Sequence, residues 1–136
     1  IAVTGHVPER DGIYIGLTIF EFMAKTGKTL SELIDEIYSI VGTFSMYRSD
    51  LHLTETKKQT LLAACQNQVF QQFGSFSVQH TETIDGFKYH VSDAEWVMIR
   101  ASGTEPVLRV YSEATTPEIA KALVEETAQT LLAYGS

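Results

Sequence analysis

The sequence predicts an α+β fold: an antiparallel sheet packed by two helices and preceded by further helices. Three observations lead to this prediction. Two capped helical segments occupy residues 11–42, apolar segments with a hairpin signal fill much of the second half, and a proline-initiated helix ends the chain. With 136 residues, 44% of them hydrophobic, the chain is long enough to bury an ordinary core.

The N-terminal part is predicted to contain two helices. Asp11 can cap a helix that ends at Gly27, and apolar residues surround its axis at positions 13, 15, 17, 19, 20, 22 and 23. Because a surface helix normally has one apolar face, we expect something outside this sequence to cover it. Thr29 and Glu32 then form a capping box for a second helix, which ends at Gly42.

The middle of the chain is predicted to continue as a strand and a third helix. Residues 43–53 contain β-branched and aromatic residues with partial alternation, which favours an extended segment. Thr54 can cap the helix that follows, and Gly74 is predicted to end it. The apolar face of this helix is predicted from a repeat of every four residues, at Leu61, Cys65, Val69 and Phe73.

The second half is predicted to consist of strands and one last helix. Segments 76–84 and 87–91 are separated by Asp-Gly, a typical hairpin turn, and segments 95–100 and 107–113 flank the hexapeptide ASGTEP. Thr116-Pro117 opens a helix that runs to about residue 133. The predicted order from residue 43 is therefore a strand, a helix, these strands and a last helix. The buried face of the last helix is predicted to comprise Ile119, Leu123, Val124, Ala128, Leu131 and Leu132.

Composition excludes some classes of function. The chain has 10 Lys and Arg against 17 Asp and Glu, a net charge of −7, so nucleic acid is not an expected partner. The longest apolar run, residues 13–24, is interrupted by polar residues and shorter than the roughly 20 residues of a membrane helix, so no membrane span is expected. The single cysteine, Cys65, cannot form an intramolecular disulfide. It is expected in the core of a protein from a reducing compartment, the cytoplasm.

Residues 100–109, RASGTEPVLR, suggest an oxyanion-binding loop. Arg100 and Arg109 lie on the two strands that flank the loop, so their guanidinium groups can converge on one anion. Ser102 and Thr104 add hydroxyl donors, and Gly103 allows the backbone to approach closely. The alternative is a polar hairpin turn whose arginines are solvated or paired with acidic neighbours, Glu105 and Glu113. The residues alone leave both readings open.

The segment RASGTEPVLRVYSE, residues 100–113, is similar to the phosphate-binding signature of the α-D-phosphohexomutases, the phosphoglucomutase and phosphomannomutase superfamily. The segment GHVPERDGIYIGL, residues 5–17, resembles the stretch that leads into the last helix of the third of that family's four domains. The resemblance implies a C-terminal fragment, with residues 1–28 as the tail of domain three, 29–42 as a linker helix and 43–136 as domain four. It also implies a TATA-binding-protein-like sheet for domain four.

The resemblance further implies a function. Family members interconvert hexose 1-phosphate and 6-phosphate through a bisphosphorylated intermediate. Carried over by position, Arg100, Ser102, Gly103, Thr104 and Arg109 would bind the substrate phosphate that is not being transferred. The family's catalytic serine, magnesium loop and sugar-recognition loop have no counterpart in this sequence, so the chain alone is expected to be inactive.

The expected cofactors, Mg²⁺ and a glucose 1,6-bisphosphate-type activator, therefore belong to the full-length enzyme. The expected partners are a phosphosugar and the remaining domains of the same chain. A non-catalytic interaction module of the same fold is the alternative function. Self-association through residues 13–24 is a further expectation, because their apolar residues need a cover.

Other polar residues are candidates of lower rank. His6 and Arg10 lie in the segment that the resemblance places beside the substrate cleft, so either could face the substrate; solvent exposure near a chain end is the alternative. Asp11 is expected to be a helix cap rather than a catalytic acid.

The remaining histidines and one lysine pair are predicted to have no special role. His52, His80 and His90 have no carboxylate or cysteine at metal-ligand spacing, so no metal site is predicted. Lys57 and Lys58 stand at the start of a helix, against its dipole, and are expected to be solvated; a role in closing over the substrate is the alternative.

Overall fold

The computed structural model describes residues 3–103 and 105–135. The chain folds as two compact units, Ile1–Gly42 and Thr43–Ser136. The first unit contains α1 (Gly12–Thr26) and α2 (Leu30–Val41). The second contains β1 (Ser45–His52), α3 (Glu55–Gln66), β2 (Gln72–Phe73), β3 (Phe76–Ser77), β4 (His80–Glu82), β5 (Phe87–His90), β6 (Trp96–Ala101), β7 (Val107–Ala114) and α4 (Pro117–Ala133).

The two helices of the first unit have the predicted caps. The Asp11 side chain accepts a hydrogen bond from the Tyr14 amide, and Gly27 ends α1 in the left-handed conformation that glycine adopts without strain. Thr29 and Glu32 form the capping box of α2. Both helix predictions are therefore confirmed.

Helix α1 presents apolar side chains to solvent. None of its described residues is buried, in agreement with an apolar pattern that surrounds the axis. A helix with this pattern normally lies inside a larger structure. The large apolar residues of α1 that are exposed are Ile13, Tyr14, Leu17, Ile19, Phe20 and Phe22.

The second unit is built on a five-stranded sheet in the order β1-β7-β6-β5-β4. All of its neighbouring strands pair antiparallel, so the predicted α+β class is confirmed. Four strands of this sheet follow α3 among the described residues, and they correspond to the predicted segments 76–84, 87–91, 95–100 and 107–113. The first of these segments is divided between β4 and β3, and β3 pairs with β2 in a separate two-stranded sheet that was not predicted.

One face of the sheet forms the core with both helices of the unit. Val97, Ile99 and Val110 from the sheet share a buried cluster with residues of α3 and α4 such as Leu61 and Leu123. Cys65 is fully buried in the same cluster, as predicted. Burial raises the pKa of the Cys65 thiol to about 11, so the thiol is neutral and unreactive at physiological pH.

Helix α3 ends at Gln66, eight residues before the predicted end at Gly74. The Val69 amide donates to the Ala64 carbonyl at 3.0 Å, and the Gln68 amide donates to the Cys65 carbonyl at 2.9 Å. These two bonds form a Schellman motif, with Gln68 at a φ of 53° in the position that glycine usually occupies. The sequence prediction was wrong because a glutamine terminates this helix.

Helix α4 begins at Pro117 with Thr116 as its cap, as predicted. Its buried face differs from the prediction at one end, since Leu132 is 48% exposed. The residues of α4 that are buried are Ala120, Leu123, Val124, Thr127 and Leu131.

The opposite face of the sheet, called here the open face, carries most of the polar groups that concern function. Alternation along the paired strands places Arg48 and Asp50 of β1 beside Tyr111 and Arg109 of β7 on this face. In the described part of the chain, no helix has the length and apolar character needed to cross a membrane.

Candidate anion-binding site

The two arginines of the 100–109 segment lie directly opposite each other in the sheet. Arg100 on β6 pairs in register with Arg109 on β7, so both side chains project from the open face beside the connecting loop. Like charges placed opposite each other across two strands destabilise a sheet. An anion between the two guanidinium groups would convert this repulsion into attraction.

Arg109 contains a donor without an acceptor. Its Nε is buried and has no hydrogen-bond partner among the described residues. The nearest register partner on the other side is Asp50, but both carboxylate oxygens of Asp50 already accept from Arg48, at 2.7 and 2.6 Å. Hydrogen bonding to Arg48, with a smaller contribution from the charge of Arg109, lowers the pKa of Asp50. A buried guanidinium donor of this kind suits an anionic acceptor.

Arg100 is exposed and forms one long ion pair. Its terminal nitrogen lies 3.4 Å from a carboxylate oxygen of Asp85, in the β4–β5 turn. Exposed pairs of this kind contribute little to stability, so an anion can compete for the guanidinium. The alternative, pairing of the arginines with Glu105 and Glu113, is not found among the described residues. Glu113, for example, accepts a hydrogen bond from Trp96 at 3.3 Å.

The loop itself is tied closely to the strands. The Ser102 amide donates to the Val107 carbonyl at 2.9 Å, and the Val107 amide donates to the Glu105 carbonyl at 2.8 Å. Ser102 is buried, whereas Gly103 is exposed; a Cβ added to Gly103 would meet no atom within 4 Å. Gly103 also lacks a positive φ, so the described protein atoms do not themselves demand a glycine here. Thr104, the second predicted hydroxyl donor, lies outside the described residues.

Lys58 of α3 holds the loop by its backbone, a role that the sequence did not predict. Its ammonium donates to the carbonyls of Ser102, at 3.3 Å, and Glu105, at 3.2 Å. Lys58 is only 8% exposed, so the expectation that it is solvated was wrong. The contacts span 44 and 47 residues along the chain, and no local pattern could have revealed them.

The neighbouring Lys57 was also expected to be solvated, and its ammonium instead donates to the carbonyl of Tyr134. The two lysines therefore bind different backbone segments. Lys57 reaches the C-terminal end of α4, and Lys58 alone reaches the loop. The cationic groups around the loop are therefore Arg100, Arg109 and Lys58.

His6, Arg10 and Asp11 lie in the first unit. Asp11 is a helix cap, as expected, and the Tyr14 amide and then His6 lower the pKa of its carboxyl. The His6 Nε2 lies 2.9 Å from Asp11 Oδ2, and its ring stacks on Tyr14 with ring centroids 3.9 Å apart. Arg10 is exposed. A role for His6 or Arg10 toward a substrate stays a prediction.

The expectation that no carboxylate accompanies the histidines was wrong for two of them. Glu82 lies beside His90, with its Oε1 2.9 Å from His90 Nε2, and 3.9 Å from His80 Nε2. Alternation alone places His80 and Glu82 on one face. A two-residue turn at Asp85-Gly86 would pair His90 with Thr81, so only the observed register, one residue different, brings His90 opposite His80.

The groups that converge on the 100–109 loop suit an anion rather than a metal. Two guanidinium groups and a buried ammonium surround it, whereas Mg²⁺ binds carboxylate, carbonyl and water oxygens. Among the described carboxylates nearby, Asp50 and Asp85 are paired with arginines, and Glu55 lies 3.6 Å from the Lys58 ammonium. The described residues around this loop therefore do not fit Mg²⁺.

Comparison with known proteins gives two family matches. The family model described as "Phosphoglucomutase/phosphomannomutase, C-terminal domain" matches residues 52–130, which include the whole loop. The model described as "Phosphoglucomutase/phosphomannomutase, alpha/beta/alpha domain III" matches residues 1–41. The two matches correspond closely to the two compact units of the structure.

Curated relatives agree with the family matches. The chain is 34% identical over 116 residues to a phosphoglucomutase/phosphomannomutase of Thermococcus kodakarensis. This match covers 85% of this chain and 23% of the relative. The chain is 38% identical over 116 residues to a phosphoglucosamine mutase of Methanococcus aeolicus, covering 85% and 24%. A phosphoglucosamine mutase of Methanocaldococcus jannaschii is 34% identical over the same length. The chain spans about a quarter of the length of these relatives.

Proposed function

Since this chain belongs to the phosphoglucomutase/phosphomannomutase family, we propose that its second unit anchors the phosphate of a hexose phosphate. Arg100, Ser102, Gly103, Thr104 and Arg109 are the proposed contacts, and the anchored phosphate is the one that is not being transferred. The observation that carries this proposal is the cross-strand pair of arginines, one of which has a buried donor without a partner.

A fixed phosphate anchor suits the reaction proposed for the complete enzyme, the interconversion of hexose 1-phosphate and 6-phosphate through a bisphosphorylated intermediate. The sugar has to present first one end and then the other to the same phosphoryl carrier. Binding energy from the idle phosphate, remote from the reacting bond, can hold the sugar in either orientation. Lys58 contributes by fixing the loop backbone, because it donates to two of its carbonyls.

The chain is proposed to act as the C-terminal part of a longer cytoplasmic phosphohexomutase. Residues 1–28 would be the tail of domain three, 29–42 a connecting helix that the domain III match includes, and 43–136 the phosphate-binding domain. The catalytic serine, Mg²⁺ and a glucose 1,6-bisphosphate-type activator would act in the other domains, so the chain alone is proposed to have no mutase activity. The alternative, a non-catalytic interaction module, is not favoured, because the matches are to mutases.

A titration followed by amide NMR tests the anchor. The 136-residue chain is titrated with glucose 1-phosphate, with inorganic phosphate and with glucose, at constant ionic strength. Both phosphates are expected to give saturable shifts centred on Ser102 and Gly103, and glucose is expected to give none. A duplex oligonucleotide at the same phosphate concentration should not reproduce the pattern.

Two variants make this titration specific. Arg109→Met should abolish the saturable shifts, because it removes one guanidinium while keeping an apolar stem. Lys88→Met is the matched control, since Lys88 is a cation of the same open face that stands over Trp96 and does not flank the loop. Equal shifts in both variants, or shifts in the loop with glucose alone, would contradict the proposed anchor.

A further inference from the structure

At the edge of the sheet farthest from β1, three side chains of types that can bind metals lie close together, and none of them belongs to the proposed phosphate anchor. His80 and Glu82 lie on β4, and His90 lies on β5 directly opposite His80. One potential ligand atom from each of these three residues lies within 4.8 Å of the others. Because β4 and β5 are joined by a tight hairpin, the backbone already holds the three residues together.

His90 is the most constrained member of the group. Its side chain is only 13% exposed, and its buried Nε2 forms no hydrogen bond among the described residues. The Glu82 Oε1 lies 2.9 Å from this nitrogen, but not in the direction of a hydrogen bond. A metal ion between His90 Nε2 and Glu82 Oε1 would provide the partner that this buried nitrogen lacks.

His80 is free to adjust to that partner. Its side chain is 59% exposed, and its ring is stacked on His90 with centroids 4.0 Å apart and planes 10° from parallel. Two stacked imidazoles cannot both point their lone pairs at one ion, so the His80 ring has to rotate on binding. An exposed side chain can do so at small cost.

We propose that His80, Glu82 and His90 bind a divalent transition-metal ion of the Zn²⁺ type at this edge of the sheet. Two imidazoles and a carboxylate form a donor set that suits Zn²⁺ and leaves a fourth position for water. Tetrahedral Zn²⁺ ligands lie roughly 3.4 Å apart for bond lengths of about 2.0–2.1 Å. The observed spacings from Glu82 Oε1 to His90 and to His80, 2.9 and 3.9 Å, bracket that value, so rotation of the exposed His80 ring is the main change needed to assemble the site.

The site is separate from the phosphate anchor. The loop joins β6 and β7 and lies at the Arg100 end of β6, whereas His90 pairs with Trp96 at the opposite end of that strand. The donor set also differs from the oxygen ligands that Mg²⁺ prefers. The inference is thus independent of the proposed function, and either can fail without the other.

Calorimetric titration of the 136-residue chain with Zn²⁺, in a phosphate-free buffer near neutral pH, tests the site. We expect binding of one ion per chain that millimolar Mg²⁺ does not displace. His80→Gln and His90→Gln should each weaken Zn²⁺ binding by more than about tenfold. His52→Gln is the matched control, an exposed histidine of the same unit, and should leave the affinity unchanged.

A second probe locates the ion. Co²⁺ should quench the fluorescence of Trp96, the single tryptophan, because Trp96 pairs with His90 on the neighbouring strand. The quenching should disappear in His80→Gln. This substitution should leave the fold intact, because the His80 side chain is exposed. The absence of saturable Zn²⁺ binding at millimolar concentration, or Zn²⁺ affinity unchanged in both histidine variants, would overturn the proposal.

Discussion

Replacing Arg109 by methionine separates the anion-binding role of this residue from a structural one. In the absence of ligand, the repulsion between Arg100 and Arg109 destabilises the fold by about 0.2–1 kcal/mol, and the substitution removes it. The substitution also removes a buried donor that has no partner among the described residues. The methionine keeps much of the apolar stem, so little packing is lost. We therefore expect the free energy of unfolding of the variant to equal or exceed that of the wild type.

Bound phosphate should stabilise the wild type and not the Arg109→Met variant. At ten times its dissociation constant, a ligand that binds only the folded state adds about 1.4 kcal/mol to the free energy of unfolding. For a unit of this size, that corresponds to a rise in Tm of roughly 6 to 11 °C. The wild-type chain should show this rise, and the Arg109→Met variant should show almost none.

The assay is thermal unfolding followed by the fluorescence of Trp96, which lies in β6 of the same unit. Chloride at equal ionic strength is the control for screening, and Lys121→Met is the control for loss of an exposed cation. Phosphate stabilisation of equal size in the wild type and in Arg109→Met would refute the reasoning. Destabilisation of the free variant by more than about 2 kcal/mol would assign Arg109 a structural role instead.

Four further predictions follow from the structure. Gly103→Ala should leave stability within about 0.5 kcal/mol of wild type, because the new Cβ meets no atom, but should weaken phosphate binding in the NMR titration; unchanged affinity would contradict a close backbone approach. Lys58→Met should destabilise the chain by about 1–3 kcal/mol in urea unfolding and weaken phosphate binding, with partial recovery in Lys58→Arg; full phosphate affinity in the methionine variant would contradict its support of the loop. Between pH 9.0 and about 11 the unfolded Cys65 thiol ionises while the folded one stays neutral, so stability should fall with pH by up to about 1.4 kcal/mol per unit, and Cys65→Ala should remove that part of the slope; identical slopes would contradict it. Phe20→Gln should reduce self-association measured by light scattering, whereas Ile84→Gln, at a 94% exposed position of the other unit, should not; equal effects would argue against association through residues 13–24.

The helices that the sequence predicted well are those whose ends are fixed by capping residues within one helical turn. Asp11 and Gly27 delimit α1, and the Thr29–Glu32 box starts α2, through bonds within one helical turn. The end of α3 was predicted wrongly because Gln68, and not a glycine, adopts the left-handed conformation that ends the helix. A glycine at this position would have indicated the end of the helix in the sequence. Its apolar repeat continues into Phe73, which is buried from a strand rather than from a helix.

The sequence predicted the members of the candidate site that belong to one short segment, and it did not predict those that come from distant segments of the chain. The pairing of Arg100 with Arg109 follows from a short loop between two strands, and both residues belong to one sequence motif. Lys58 reaches the loop from α3, and only the packing of that helix brings its ammonium to the carbonyls of Ser102 and Glu105. Asp85, the present partner of Arg100, likewise comes from a different turn.

The histidine and glutamate group shows an intermediate case. Alternation in β4 was predictable and places Glu82 beside His80. The register of the β4–β5 hairpin was not, because a two-residue Asp85-Gly86 turn would have put His90 opposite Thr81 rather than opposite His80. Cross-strand register has to be combined with spacing before a metal site is excluded.

The most direct test of the central claim is a crystal structure of the chain with glucose 1-phosphate. We expect the phosphate to lie between the guanidinium groups of Arg100 and Arg109, with the Ser102–Gly103 backbone against its oxygens and Arg100 released from Asp85. A phosphate bound elsewhere, or a loop without ligand at saturating glucose 1-phosphate and with the Arg100–Asp85 pair intact, would contradict the assignment of this domain as the phosphate anchor.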